Sequence, residues 1–398
     1  MTYYNTFAIA DRTLGEISSM TTTALRSDIT LRATLRIAML GVGRWGSHLL
    51  RNFVQNPDVA IAAVIDPWEP NLKRSQDTLG GAIALTNTQW LTDWQIALNT
   101  VELDAIIVAT PAETHYPVIR AALIKGLHVL AEKPLTLTVT ESIELCELAQ
   151  KNNVQLVVDH TYLFNPAVAR GRRSIENLGN LRYAYATRTH LAPVRQDVDA
   201  LWDLAVHDIA ILNYWLGDRP LRVSARGKSW LQRDIQTNLS PNGLADTIWA
   251  TLEYSNGFCA DLHFSWLNCD KQRRMVVVGD RGSMIFDELA PEQLLIYYGE
   301  LVKIEQSFSP DRQSREVLPI LDQEPLKALC EHFVHCVQTN EPSKISSGWL
   351  GADLVAVLVA LSDSMNQNSA WISLADRSHQ PPSPEPHIVV TAQLAALN

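Results

Sequence analysis

The sequence predicts an α/β protein of two units: a parallel sheet with helices on both faces, followed by a largely antiparallel unit. Three observations carry this. Between 35 and 158, short and wholly apolar strand candidates alternate with helix candidates, the pattern of a parallel sheet buried on both sides. After Asp159 the strand candidates alternate in polarity or carry β-branched and aromatic residues. The length, 398 residues, is that of two ordinary domains.

Each element follows in order. Residues 1–34, rich in Thr, Ser and Ala and without a sustained period, read as an N-terminal extension. The first unit, 35–158, opens with the strand Arg36–Leu40, after which Trp45, Leu49 and Phe53 recur at helical spacing. Val59–Ile65 and Ala105–Ala109 are apolar runs of strand length, and a helix is expected over His115–Lys125. A short strand begins at Val129–Leu130, then a helix over Val139–Lys151 and a strand over Val154–Val158. In the second unit, 159–373, strands are expected at Leu181–His190, Thr247–Tyr254, Phe258–Phe264, Met275–Gly279 and Ser283–Asp287. Ser255-Asn256-Gly257 marks a hairpin between two of them. One helix covers about Leu204–Leu216, and Pro325–Thr339 and Gly351–Asn366 read as helices able to pack back across both units. Residues 374–398 hold a Pro-Pro-Ser-Pro-Glu-Pro tract, which neither a helix nor a central strand accepts, and read as a tail.

Composition narrows the function. Hydrophobic residues are 46% and charged residues 19%, enough apolar material for a sizeable core. The formal charge of −10 argues against nucleic acid as a partner. Cys146, Cys259, Cys269, Cys330 and Cys336 are scattered and odd in number, as expected for reduced thiols in the cytoplasm. The start lacks a basic segment followed by an apolar run, and the apolar stretch Leu354 to Leu361 is far short of a membrane span. A soluble, cytoplasmic protein without membrane contact is the expectation.

The first motif is Gly41-Val42-Gly43-Arg44-Trp45-Gly46, between a strand and a helix. A bare G-x-G-x-x-G is weak evidence. Here the glycines permit a tight turn, close approach of a pyrophosphate and close helix–sheet packing, with a helix N-terminus to receive the phosphates. Asp66 ends the second strand, about 20 residues on, where an acid binds ribose hydroxyls and repels a 2′-phosphate. The pair points to NAD rather than NADP, although Arg44 stands where it can approach a phosphate.

Thr110-Pro111 with His115, and Glu132-Lys133-Pro134, follow strands directly. They fall at strand carboxyl ends, where open parallel sheets bind ligands. A lysine in a partly desolvated cleft can donate to a substrate oxygen, and Pro134 is a candidate for the cis isomer. Taken alone, His115 reads as a helix start and Lys-Pro as an ordinary turn. In Trp202-Asp203-Leu204-Ala205-Val206-His207-Asp208, Asp203 and His207 are i, i+4 and share a helix face. That places a carboxylate to orient the imidazole and raise its pKa, with Asp208 facing elsewhere. Cys330, His332, His335 and Cys336 lie on one helix at a spacing that fits no zinc pattern, so no metal is expected. Arg172-Arg173 and Arg273-Arg274 read as solvated or locally paired. No G-x-S-x-G, Walker or H-E-x-x-H sequence appears, which removes the common hydrolase and NTPase classes.

Together these elements resemble the Gfo/Idh/MocA family, named for glucose–fructose oxidoreductase and inositol dehydrogenase. The likeness runs in family order through Gly41–Gly46, Asp66, Ala109-Thr110-Pro111 with His115, Gly126 through Glu132-Lys133-Pro134, and Asp203 with His207-Asp208. The Glu-Lys-Pro plus Asp-x-x-x-His pairing is its most specific part. The resemblance implies an N-terminal Rossmann domain and a C-terminal α/β domain with a large, mostly antiparallel open sheet. It implies hydride transfer between NAD and a secondary hydroxyl of a sugar, nucleotide sugar or cyclitol. By position, Lys133 is the lysine of the Glu-Lys-Pro motif and Asp203 with His207 the acid–base pair. The expected NAD contacts are Gly41, Gly43, Arg44, Trp45, Gly46, Asp66, Thr110, Pro111, His115 and Glu132. On the substrate side stand His160, Asn165, Arg188 and Trp202, with Arg195 near them; Trp202 reads equally as a packing residue.

Val198–His207 also looks like members that oxidise nucleotide-linked amino sugars, where Trp-Asp-Leu precedes His-Asp. One departure concerns substrate anchoring: many relatives carry an Arg after the sixth strand, and Asp159–Pro166 has none. An open sheet implies face-to-face homodimers or homotetramers. Two other readings keep the fold. One is an NAD-binding sensor or scaffold without turnover. The other is a sugar lyase or glycosidase that uses bound NAD without net redox change.

Overall fold

The computed structural model describes residues 34–191 and 193–374; residues 1–33 of the expected extension and 375–398 of the expected tail lie outside them. The first sheet contains β1 (Leu35–Leu40), β2 (Val59–Ile65), β3 (Gln89–Leu91), β4 (Ala105–Val108), β5 (His128–Ala131) and β6 (Leu156–Val158). Its order is β3-β2-β1-β4-β5-β6, with every pair parallel. Helices α1 (Gly46–Val54), α2 (Glu69–Leu79), α3 (Trp94–Thr100), α4 (His115–Ile124) and α5 (Val139–Lys151) connect the strands. The strands are apolar throughout because both faces are covered. Ile37, Met39, Ile107 and Leu130 enter one core cluster, and Ala38, Ile106, Val108 and Val129 the other. Strand order reverses between β1 and β4, which opens a crevice at their carboxyl ends. Three elements here escape sequence periodicity. β3 is three residues long, α3 is short, and α2 buries only Leu72 and Ser75.

The second sheet contains β7 (Leu181–Leu191), β8 (Arg222–Lys228), β9 (Thr247–Glu253), β10 (Cys259–Ser265), β11 (Leu267–Gly279), β12 (Gly282–Asp287), β13 (Leu294–Ile304), β14 (Ser307–Val317) and β15 (Ile372–Ser373). The order is β14-β13-β12-β11-β7-β10-β9-β8-β15. β7 and β10 pair in parallel and the remaining pairs are antiparallel. The expected hairpin at Ser255–Gly257 joins β9 to β10, with Asn256 and Gly257 at φ 63° and 74°. β14 is almost wholly exposed, so no buried face imposes an alternating pattern on it.

One face of this sheet is covered and the other is open. On β7, Ala184 and Ala186 are buried while Tyr183 and Tyr185 are exposed. β9 likewise exposes Trp249 between the buried Ile248 and Ala250. The covered side carries α6 (Pro166–Ser174), α7 (Val206–Leu216) and α9 (Gly348–Asn366). A single π-helical turn, Leu201–Ala205, runs directly into α7 where one regular helix was expected. α9 packs on both α5 and β8 and so ties the two sheets together. It is long and apolar enough to cross a membrane, yet 67% of its apolar window is buried inside the fold, as in a core helix. The remaining helix, α8 (Pro325–Thr339), returns to the first sheet. Its Leu326, Leu329 and Phe333 share a core with Ile37 and Phe53, and Phe53 and Phe333 meet edge to face at 6.3 Å. The chain division near 158 is therefore not a division in space.

Candidate functional site

The glycine turn is shaped by close backbone approach. Gly41 has φ 83°, and a Cβ there would lie 2.4 Å from the Ala109 carbonyl oxygen. At Gly46 it would lie 2.0 Å from the Gly41 carbonyl oxygen. Neither position admits a side chain. At Gly43 a Cβ meets nothing nearer than 4.0 Å, so the backbone there faces open space. Asp66 is buried at the end of β2. Its carboxylate accepts from the amides of Val42 and Trp68, both at 2.9 Å, and from the Asn71 side chain at 3.1 Å. A carboxylate has about four acceptor positions, so one on Oδ1 remains for a ribose hydroxyl. Arg44 and Trp45 are exposed, and the Trp45 indole donates to Asp159 Oδ2 at 3.2 Å. An open, glycine-lined crevice with an acid at the end of β2 fits a dinucleotide such as NAD.

Two of the expected NAD contacts serve the crevice wall. His115 is enclosed, with Nδ1 2.9 Å from the Pro134 carbonyl oxygen and Nε2 2.9 Å from that of Thr110. Burial pushes its pKa down, against the pull of these carbonyls. The ring thus braces the Lys133-Pro134 turn, whose peptide is cis, against the end of β4. Glu132 Oε2 accepts the Lys133 amide at 3.2 Å, and its Oε1 is buried without a partner. Burial raises the Glu132 pKa well above the usual range, and the neighbouring Asp159 carboxylate adds to the shift. Thr110 and Pro111 sit at the crevice lip, Thr110 bonded to the Thr114 hydroxyl at 2.7 Å.

Lys133 and Asp203 meet where the two sheets face each other. Lys133 Nζ donates to the Asp203 backbone oxygen at 2.8 Å and lies 3.7 Å from Asp203 Oδ1. Arg195 reaches Oδ1 at 3.3 Å, and the Trp266 indole donates to Oδ2 at 3.2 Å. Burial pushes the Asp203 carboxyl up, but Lys133 and Arg195 outweigh it and hold the group below its ordinary value.

His207 corrects an expectation. Among the described residues no hydrogen bond joins it to Asp203. The carboxylate is engaged by Lys133, Arg195 and Trp266, while His207 Nδ1 is buried without a partner. The carboxylate's own partners account for this: Lys133, Arg195 and Trp266 hold it, on a turn that is π-helical rather than part of one regular helix. The Tyr162 ring packs against the imidazole instead, with centroids 4.8 Å apart. Burial, then the charges of Lys133, Arg188 and Arg273, drive the His207 pKa well below its ordinary value. The expected rise does not occur.

The substrate-side candidates divide. Trp202 is buried and its indole donates to Ser362 at 3.0 Å, so it packs in the core. Asn165 caps α6 through the Ala167 amide at 2.8 Å. Arg188 is 2% exposed, bonded to Asp208 at 2.6 and 3.0 Å, and stacked 4.5 Å from the Tyr162 ring centroid. It backs the site from behind, which gives Asp208 its partner there. His160 is buried with both ring nitrogens unpartnered, and burial with the Lys133 charge pushes it down to about 3.

Sequence reasoning missed Tyr162, Glu288 and Trp266, and it left Arg273 outside the site. Arg273 sits opposite Arg188 in the β7/β11 register, donates to the Tyr162 hydroxyl and pairs with Glu288 at 3.2 Å. An arginine from the second sheet thus reaches the segment after β6, which has none of its own. These residues come from four separate segments, so no local spacing reveals them. His332 and Cys336 bond each other at 3.4 Å, and His332 bonds Ser343 at 2.8 Å. No metal-holding group of three or more ligands occurs among the described residues.

A prediction follows for acid. A histidine held below its unfolded value binds fewer protons folded than unfolded. Stability from His160 and His207 is thus complete above about pH 6.5 and is lost as pH falls below it. Ring resonances of labelled His207 should show the neutral imidazole through the pH range where an ordinary histidine titrates. A midpoint at or above about 6.5 would restore the Asp203-coupled base.

Comparison with known proteins agrees with this geometry. Residues 35–160 match the family model described as an oxidoreductase family, NAD-binding Rossmann fold, and 176–285 match the Gfo/Idh/MocA C-terminal domain. Together the matches span more than half of the chain. The scyllo-inositol 2-dehydrogenase (NAD(+)) of Bacillus subtilis is 26% identical over 321 residues, 77% of this chain and 87% of that protein. The UDP-N-acetylglucosamine 3-dehydrogenase of Acidithiobacillus ferrooxidans is 32% identical over 177 residues, 44% of this chain and 52% of that one. In three dimensions, an inositol dehydrogenase homolog of Azotobacter vinelandii, solved with NADH and myo-inositol, aligns with TM-score 0.68 at 22% identity. It covers 86% of this chain and 98% of that one, a likeness of fold. With its dinucleotide crevice, its Glu-Lys-Pro turn and both domain matches, the chain belongs to the Gfo/Idh/MocA family of NAD-dependent oxidoreductases.

Proposed function

We propose that the chain moves a hydride between NAD and a secondary hydroxyl on an uncharged, polyhydroxylated ring: a sugar, the sugar of a nucleotide sugar, or a cyclitol. The observation that carries this is Lys133, held by Asp203 beside a neutral His207 at the mouth of the NAD crevice. NAD, when bound, supplies the hydride acceptor. Lys133 donates a hydrogen bond to the substrate oxygen and stabilises the negative charge that oxygen gains as its proton leaves. His207, being neutral, accepts that proton. The cations that lower its basicity also favour the alkoxide. Tyr162 sets the imidazole plane, and His160 offers uncommitted ring nitrogens to a neighbouring hydroxyl.

Charge pairing supports an uncharged ring. Lys133 and Arg195 pair with Asp203 and Asp197, and Arg188 and Arg273 with Asp208 and Glu288. A substrate carboxylate or phosphate would have to displace one of these partners, so a nucleotide diphosphate belongs further out. The relatives named above act on inositol and on UDP-N-acetylglucosamine, both of which present such a ring. The open face of the second sheet, with Tyr183, Tyr185, Trp249 and Tyr297 exposed, supports self-association as a homodimer or homotetramer. Sedimentation equilibrium at the mass of one chain would sink that part. The five cysteines are unpaired, in keeping with a cytoplasmic setting.

The test is NADH absorbance with scyllo-inositol, myo-inositol and UDP-N-acetylglucosamine. One of them should yield NADH in step with product. Product without NADH would mean chemistry with no net redox change, and binding without product would mean a scaffold. Lys133→Met should lower turnover about a hundredfold or more, the scale of one lost oxyanion-type donor, with NAD affinity little changed. Intact turnover in that variant would make the Glu-Lys-Pro turn structural only. NADP should bind more weakly than NAD because Asp66 repels a 2′-phosphate. Equal affinities by fluorescence titration would show that Asp66 does not face the ribose.

A further inference from the structure

We propose that Asp199 is a positioning residue for the reacting end: it holds the π-helical turn that presents Asp203 and His207. The carboxylate is 1% exposed. Its Oδ1 accepts the amides of Leu201 at 3.1 Å and Trp202 at 3.2 Å, and its backbone oxygen accepts the Asp203 amide at 3.2 Å. Its Oδ2 accepts the Ser240 hydroxyl at 3.0 Å. The next residue, Ala200, donates its amide to Ala245 at 3.0 Å. The first amides of a helix lack internal partners, and a capping carboxylate satisfies them with charge-assisted bonds. Here the capped element is the π turn itself.

The path to the chemistry is short. The Asp199 carboxylate holds the Leu201 and Trp202 amides that lead into Asp203, whose own amide bonds the Asp199 backbone oxygen, while the Asp203 carbonyl receives Lys133 at 2.8 Å. The position of that residue is thus set from the Asp199 side and read by the lysine on the other. Ser240 belongs to the segment between β8 and β9, which lines a cavity of about 470 Å³ with Lys228, Arg233 and Asn242. Asp199 lies between that cavity and the turn. Burial pushes its carboxyl up to about 6, opposed by the Trp202 amide and Ser240. A buried carboxylate is costly unless its bonds are needed where it stands.

This inference rests on the reading of Lys133, Asp203 and His207 as the reacting end, so the test has one arm that does not need turnover. The variants are Asp199→Ala, which removes the acceptors, and Asp199→Asn, which keeps a carbonyl oxygen for the two amides and offers its amide group to Ser240. In the full chain with NAD, hydrogen exchange of the peptide covering 200–207 should accelerate roughly 5–30-fold in Asp199→Ala, the scale of a lost cap. Asp199→Asn should return it to within about threefold. With whichever of scyllo-inositol, myo-inositol and UDP-N-acetylglucosamine yields NADH as the probe, kcat should fall by a similar factor in Asp199→Ala and recover in Asp199→Asn, while KM for NAD stays within about twofold.

If Asp199→Ala does not fold, Ser240→Ala removes only the outer bond and should give the same pattern at about two- to threefold. Unchanged exchange would overturn the proposal. Faster exchange with unchanged kcat would overturn it too, because the turn would then be loose without consequence. If the wild type forms no NADH from any of the three rings, the functional reading fails, and the exchange arm still decides whether Asp199 holds the turn.

Discussion

The contact between Lys133 and Asp203 is the constraint on which the site depends. One partner stands at the end of β5 in the NAD-binding sheet, the other on the π-helical turn of the second unit. Both are largely shielded, with side chains 14% and 22% exposed. Shielded charges persist only when paired and hydrogen-bonded, and removing one side of such a pair typically costs about 3–5 kcal/mol. The surroundings meet that demand on both sides. His115 braces the turn that carries Lys133, while Arg195 and Trp266 hold the Asp203 carboxylate and the Asp199 backbone oxygen its amide. Behind them, Arg188 with Asp208 and Arg273 with Glu288 repeat the pattern around Tyr162.

The same shielding decides the protonation states nearby. His160 and His207 are held below the ordinary histidine value, and the Glu132 carboxyl is pushed well above the ordinary carboxyl value. All three shifts have burial as their first cause. A region that penalises charge this strongly also strengthens the electrostatic effect of the cation it retains. Lys133 can therefore act on charge that develops only as a hydroxyl loses its proton, without first binding an anion. In the proposed reaction His207 is the neutral proton acceptor, and its ring packs on Tyr162 rather than on a carboxylate. The acid–base pair of the sequence motif is thus divided in the structure: Asp203 pairs with Lys133, and His207 packs against Tyr162.

Much of this was legible in the sequence because it is local. Apolar runs such as Ala105–Val108 announce strands buried on both faces, and glycines fixed by close approach, Gly41 and Gly46, announce the crevice. The Glu-Lys-Pro turn was visible for the same reason. Other features depend on tertiary contact. α2 and β14 bury too little to imprint a period. The site-side roles of Tyr162 and Arg273 arise from the β7/β11 register, and Trp266 reaches Asp203 from beyond β10. The π turn replaces a helix that spacing alone would draw straight through, and Asp203 pairs with Lys133, Arg195 and Trp266 rather than with His207. Arg188 and Trp202, substrate-side candidates in the sequence, are buried, Arg188 against Asp208 and Trp202 against Ser362, because exposure is not written in a motif.

The central claim is that Lys133 and Asp203 act as one unit in turnover. A double-mutant cycle in kcat/KM for NADH formation tests it most directly, using Lys133→Met, Asp203→Asn and the pair on the best substrate found. If they are one unit, the double variant should be scarcely slower than the worse single variant, with a coupling energy of about 1–3 kcal/mol. Losses that multiply independently would contradict the account, since the contact that joins the two halves would then have no part in the chemistry.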